Sequence, residues 1–125
     1  MWADAETLAK NYLEAANLGV PIATVIPDAD RPGGRPARFI RLQSGGSRRR
    51  TLVHRDTRIT IECWSELGEA DAATLAEQIY EVLDEWELVP TFDGWQAGPY
   101  PQPDPDTGTA RYVMTVIIRH RMEDE

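Results

Sequence analysis

Few residues in this chain could carry chemistry. It holds one cysteine, Cys63, and two histidines, His54 and His120. Neither histidine sits in a nucleophile-elbow or metalloprotease spacing. A single cysteine forms no internal disulfide and no half of a four-ligand zinc site, which suits a reducing compartment. His54-x-Asp56 offers two metal donors, but a lone pair beside an arginine cluster reads as a strand end. The run Asp104-Pro-Asp106-Thr-Gly108 has the outline of a calcium loop's first half. It lacks the third acid before the glycine and has Thr115 where the closing glutamate belongs, so it reads as a turn. The glycine pairs at 33–34 and 45–46 are not followed by Lys-Ser/Thr and a helix, as a phosphate loop requires. The residues therefore predict no catalytic group, no metal site and no cofactor.

What remains is charge, and its distribution says more than its sum. The 125 residues carry a net charge of -8. Residues 31–58, however, hold nine arginines and a single acid, Asp56, while residues 59–110 hold 12 acids and neither lysine nor arginine. Twelve of the 13 basic residues are arginine, the side chain suited to bidentate contacts with carboxylates or phosphates. An acidic chain is a poor candidate for nucleic acid, because affinity for phosphates comes largely from counterions displaced by positive charge. The basic block keeps that class open, but no helix-turn-helix, zinc finger or stacking platform accompanies it.

The elements that must position these charges follow from periodicity. Asp4 is a candidate N-cap for a helix over 4–17, with Leu8, Ala9, Tyr12, Leu13 and Ala16 at helical spacing and Gly19 as a stop. Ile22–Ile26, bracketed by Pro21 and Pro27, predicts a short strand near an edge. Residues 28–36 are rich in turn formers and predict a loop. A strand over 37–44 follows, then a loop opened by Gly45-Gly46-Ser47 that leads into Arg48-Arg49-Arg50. The next extended region, 51–64, places Ile59, Ile61 and Cys63 on one face and Arg58, Thr60, Glu62 and Trp64 on the other. Together these two strands predict an antiparallel hairpin with arginines at its tip.

The second helix is carried by Ala72, Leu75, Ala76, Ile79, Val82, Leu83 and Trp86, with Glu69 and Asp71 suiting its N-terminus. Residues 91–97 predict a short strand. Alternating Pro99, Pro101, Pro103 and Pro105 argue against regular structure over 98–108, so that segment, with Tyr100, is either a stiff connection or a docking loop. Ala110–Arg121 is apolar on both faces near its middle and predicts a central strand. The whole predicts one α+β domain, a mostly antiparallel sheet of four to five strands with two helices on one face. No secretory signal opens the sequence, and its longest apolar stretch is far short of the roughly 20 residues that span a bilayer.

On the second helix Glu77, Glu81 and Glu85 recur every four residues with no basic residue on that helix to pair with them. Like charges so spaced repel by roughly 0.2–0.5 kcal/mol per pair. Two readings follow: a solvated acidic face, or a stripe that meets arginines of another copy. The candidates for that contact are Arg48, Arg49, Arg50, Arg55 and Arg58. A hairpin of one copy reaching the helix of the next would repeat head to tail and generate a ring or filament. Trp64 is buried either under a helix or in a subunit contact, Trp86 belongs to the core, and Trp2 either staples the first helix or reaches a neighbour.

The run Thr57-Arg-Ile-Thr-Ile-Glu-Cys-Trp64, the Ala- and Glu-rich helix over 70–83, and Pro103-Asp-Pro-Asp-Thr-Gly108 leading into Arg111-Tyr-Val-Met-Thr-Val116 resemble the tail terminator proteins of long-tailed bacteriophages. The likeness is greatest to siphophages of high-GC actinobacterial hosts. It implies a non-enzymatic virion protein, assembled in the host cytoplasm and placed at the head-tail junction. There a hexameric ring would cap the tube of major tail protein, stop its growth and face a head-tail connector or stopper. DNA would pass through the lumen without sequence-specific binding, and no membrane would be involved. A connector or stopper of the neck, and a small nucleic-acid-binding accessory protein using 31–58, are the competing expectations.

Overall fold

A computed structural model describes residues 4–27, 35–91 and 94–121. The elements run α1 (Ala5–Ala15), β1 (Ile22–Ala23), β2 (Arg38–Arg49), β3 (His54–Ser65), α2 (Glu69–Asp84), β4 (Trp95–Pro101) and β5 (Ala110–Arg121). The five strands form one sheet in the order β1-β2-β3-β5-β4, antiparallel except for the β1–β2 pair. This is the expected α+β architecture. Asp4 caps α1, its side chain accepting from the Glu6 amide at 3.2 Å. Trp2 and residues 28–34 lie outside the described residues, and with them the expectations placed there.

One face of the sheet carries the core. Ile40 and Leu42 of β2, Ile59, Ile61 and Cys63 of β3, and Met114, Val116 and Ile118 of β5 are fully buried against Ala9 and Leu13 of α1 and Leu75, Ala76, Ile79 and Leu83 of α2. The period-2 and 3.6-residue patterns meet there, as both must when helices cover a single sheet face. Trp86 lies just beyond α2, half-buried, and stacks on Tyr12 with ring centroids 4.5 Å apart.

Three local expectations are corrected. β2 does not stop at Ser44 but continues to Arg49, through a bulge at Gly45 and Gly46 where the register steps from Ser44↔Ile59 to Ser47↔Thr57. A Cβ on Gly45 would stand 3.3 Å from the Arg58 carbonyl oxygen, so the glycine permits the close approach the bulge needs. The proline-rich segment is strand as far as Pro101, pairing Tyr100 with Val113 and Pro101 with Tyr112. It can be, because β4 is an edge strand whose outer amides need no partner. β1 spans two residues rather than five, although it does lie at the other edge.

The two edges are blunted differently. β4 presents Pro99 and Pro101, whereas β2 beyond its short pairing with β1 presents the bulge and then Arg48 and Arg49. Both devices discourage indiscriminate strand pairing. They leave the arginine-bearing hairpin exposed.

Candidate functional interface

The alternation that buries Ile59 and Ile61 sends their neighbours to the helix-free face of the sheet. Arg58, Glu62 and Trp64 of β3 lie there, with Phe39 and Arg41 of β2 and Arg111 and Arg119 of β5. Trp64 is buried on this side, neither under a helix nor in need of a subunit contact. Phe39 stacks on it at 5.1 Å, and the guanidinium carbons of Arg111 and Arg35 stand 5.1 and 5.9 Å from its ring. Its indole N–H donates to Glu62 at 3.0 Å, and Glu62 also meets Arg41 at 3.4 Å and Arg111 at 3.9 Å. Here arginines and an aromatic ring substitute for a second layer of helices.

The hairpin arginines do not act as one patch. Register places Arg48 opposite Asp56 and Arg49 opposite Arg55, on alternate faces. Arg50 donates to Asp56 at 3.3 Å, and Arg58 donates to Gln96 at 2.8 Å. Arg48 and Arg49, both exposed, take part in none of the ion pairs among the described residues. Arg48, Arg49 and Arg50 enclose, with Asp56, a hollow of about 300 Å³.

Glu77, Glu81 and Glu85 are exposed on the outer side of the α2 region, Glu85 being its C-cap. No ion pair among the described residues joins them to the hairpin arginines. Within one chain the two candidate surfaces thus remain apart and available, the arginines on the hairpin and the acids on the helix layer. Tyr100 is 41% exposed on the β4 edge and belongs to neither surface.

The sequence reading missed the apex of the hairpin. The turn after Arg50 is held by Thr51, whose hydroxyl accepts from the amides of Val53 and His54 at 3.2 and 3.0 Å. That turn lifts Leu52 and Val53 into solvent, 81% and 40% exposed. The available signal was an apolar pair lying between an arginine run and a strand, directly after a turn-forming threonine. Val25 and Leu67 are also well exposed, and Ile26 and Tyr100 more modestly; Leu67 stands among the acids Glu66, Glu69 and Asp71, the opposite sign to the arginines beside Leu52.

Both histidines and Asp104 make local hydrogen bonds. His54 shares a 3.1 Å hydrogen bond with Thr51, and His120 shares one of 2.7 Å with Thr57. Asp104 accepts from the Thr107 hydroxyl at 2.6 Å and from its amide at 3.0 Å, bonds that hold its carboxyl below the usual carboxylate range. That segment is an Asx-type turn. Among the described residues no group of three or more His, Cys, Asp or Glu could hold a metal ion, and no helix is long and apolar enough to cross a membrane. A larger hollow, about 550 Å³, lies between the start of α2 and the β4–β5 connection, with Ser65, Glu69 and Arg111 among its walls and no expected site residue. Compared with known proteins, the chain matches no family model and no curated protein.

Proposed function

We propose that this chain is a non-enzymatic structural subunit that associates head to tail into a ring and caps the head-proximal end of a phage tail tube. The observation that carries the reading is the separation of charge across one small domain. Exposed Arg48 and Arg49 on the hairpin, and Glu77, Glu81 and Glu85 on the helix layer, take part in none of the ion pairs among the described residues. Each surface is complementary to the other on a second copy and repulsive toward itself. Such complementarity permits a heterologous interface, which closes into a ring when its rotation permits. The resemblance of the 57–64, 70–83 and 103–116 segments to tail terminators supplies the setting. A hexamer, contact with the major tail protein on one face and with a connector or stopper on the other belong to that setting.

A second reading has its own support. The helix-free face carries Arg41, Arg58, Arg111 and Arg119 against Glu62 and Asp56, an excess of positive charge that suits phosphate contacts. DNA crossing the lumen, or nucleic acid bound by a monomer, would both use it.

Sizing of the purified chain together with electron microscopy of tails tests the first reading. A ring-sized species, and tubes of major tail protein that stop lengthening when the chain is added, are the expected results. Arg48→Glu with Arg49→Glu should weaken association without unfolding the subunit, because exposed charges contribute little to its stability. A stable monomer that leaves tube growth unchanged and binds DNA with a steep salt dependence would replace the ring with the second reading.

A further inference from the structure

The ring reading leaves open what supplies affinity at the subunit contact. Exposed ion pairs contribute little each and are screened by salt. They orient an encounter more than they hold it, so a stable contact needs a desolvated apolar anchor.

The hairpin apex supplies one. Leu52, 81% exposed, and Val53 stand at the turn that joins β2 to β3, a turn braced by Thr51. Arg48, Arg49 and Arg50 lie just behind them. The result is an apolar tip with a basic collar.

The helix layer holds a receptor of the opposite kind. Between the C-terminal ends of α1 and α2 lies a groove of about 280 Å³ lined by Tyr12, Ala15, Ala16, Val82 and Glu85. Its walls are built before any partner arrives. Tyr12 stacks on Trp86 at 4.5 Å and donates its hydroxyl to the Val82 carbonyl at 3.2 Å. Ala15 and Ala16 leave the space open where larger residues would fill it. Glu85 lies on the rim and Glu81 is one helical turn before it, so the groove is apolar within and acidic at its edge.

We infer that Leu52 and Val53 of one copy dock into the Tyr12–Ala16–Val82 groove of the next, with Arg48 and Arg49 reaching Glu81 and Glu85 at its rim. The inference rests on the head-to-tail reading above and adds the residues that hold the contact. A second copy fits this groove by two matched properties, apolar against apolar and basic collar against acidic rim. Among the described residues Arg48, Arg49, Glu81 and Glu85 form no ion pair within the chain. A preformed aromatic wall keeps the ordering cost of docking low.

The test uses full-length chains. Leu52→Asp should weaken self-association at least about tenfold by sedimentation equilibrium, the loss expected for a fully buried leucine. Its thermal unfolding should match the parent, since Leu52 is in solvent in the single chain. Ala16→Trp, which fills the groove from the other side, should weaken association similarly. Mixing chains that carry Leu52→Cys with chains that carry Ala16→Cys should give, on oxidation, a cross-link between the two kinds in preference to either kind with itself. Leu52→Asp and Ala16→Trp chains that assemble like the parent would overturn the docking and leave the ring reading intact. A parent chain that stays monomeric at every concentration, with no preferential cross-link, would overturn both.

Discussion

Arg119 donates to Asp56 from Nε at 3.0 Å and from Nη2 at 3.4 Å, tying β5 to β3 beside the hairpin turn. Asp56 is the one acid among residues 31–58, and Arg50 donates to it as well. The one acid within the arginine block is thereby engaged by Arg119 and Arg50 beside the turn. Arg48 and Arg49 take part in none of the ion pairs among the described residues.

Asp56→Asn should cost about 1–3 kcal/mol of stability, the range for a lost charge-assisted hydrogen bond at a partly buried site. Urea unfolding monitored by tryptophan fluorescence reads it directly. An unchanged midpoint would mean that the β3–β5 ladder holds this end of the hairpin without Asp56.

A second tie acts at the opposite end of the sheet. Asp71, in the first turn of α2, accepts from Ser65 at 2.6 Å and from Arg38 at 2.8 Å. First the Ser65 hydroxyl and then the Arg38 guanidinium hold its carboxyl below the usual carboxylate range, against its partial burial. A folded pKa below the unfolded one stabilises the protein above the unfolded value, and the gain is lost as pH falls through the folded value. Stability should therefore decline as pH drops below about 4, the ordinary aspartate range. Asp71→Asn should flatten that decline and lower stability at neutral pH. Equal acid slopes in the two chains would show that other carboxylates govern acid unfolding.

Cys63 reports on the core between sheet and helices. Burial, and secondarily the charge of Glu62, push its thiol up to about 12. At pH 8 a disulfide reagent should react with it only through opening of the domain, at a rate that rises steeply with urea, and with one equivalent once unfolded. Fast reaction of the native chain would mean that the α2–β3 packing opens locally.

Much of the fold was legible in order and pattern. The Asp4 cap of α1 and the periodicities of α1, α2, β3 and β5 are local properties, and burial of Leu75, Ile79, Ile59 and Ile61 follows from the periodicities. Proline and glycine were less legible, because each permits opposite outcomes. Pro99 and Pro101 exclude an interior strand but not an edge one, and which edge is free depends on strand order. Gly45-Gly46 reads equally as a turn or a bulge, and the choice was made by pairing with Thr57 and Ile59 on the facing strand.

The candidate interface divides in the same way. By itself the sequence determined that positive and negative charge are segregated, that Glu77, Glu81 and Glu85 share one helix face, and that arginines crowd a hairpin. Tertiary structure alone decided that Asp56 is consumed by Arg119 and Arg50, that Trp64 is covered by Phe39 and guanidinium groups, and that Tyr12 and Val82 wall a groove. Periodicity is a property of neighbours a few residues apart. Which charges are neutralised, and which apolar side chains are left uncovered, depends on residues such as Asp56 and Arg119 that are remote in the chain and adjacent only across a finished sheet.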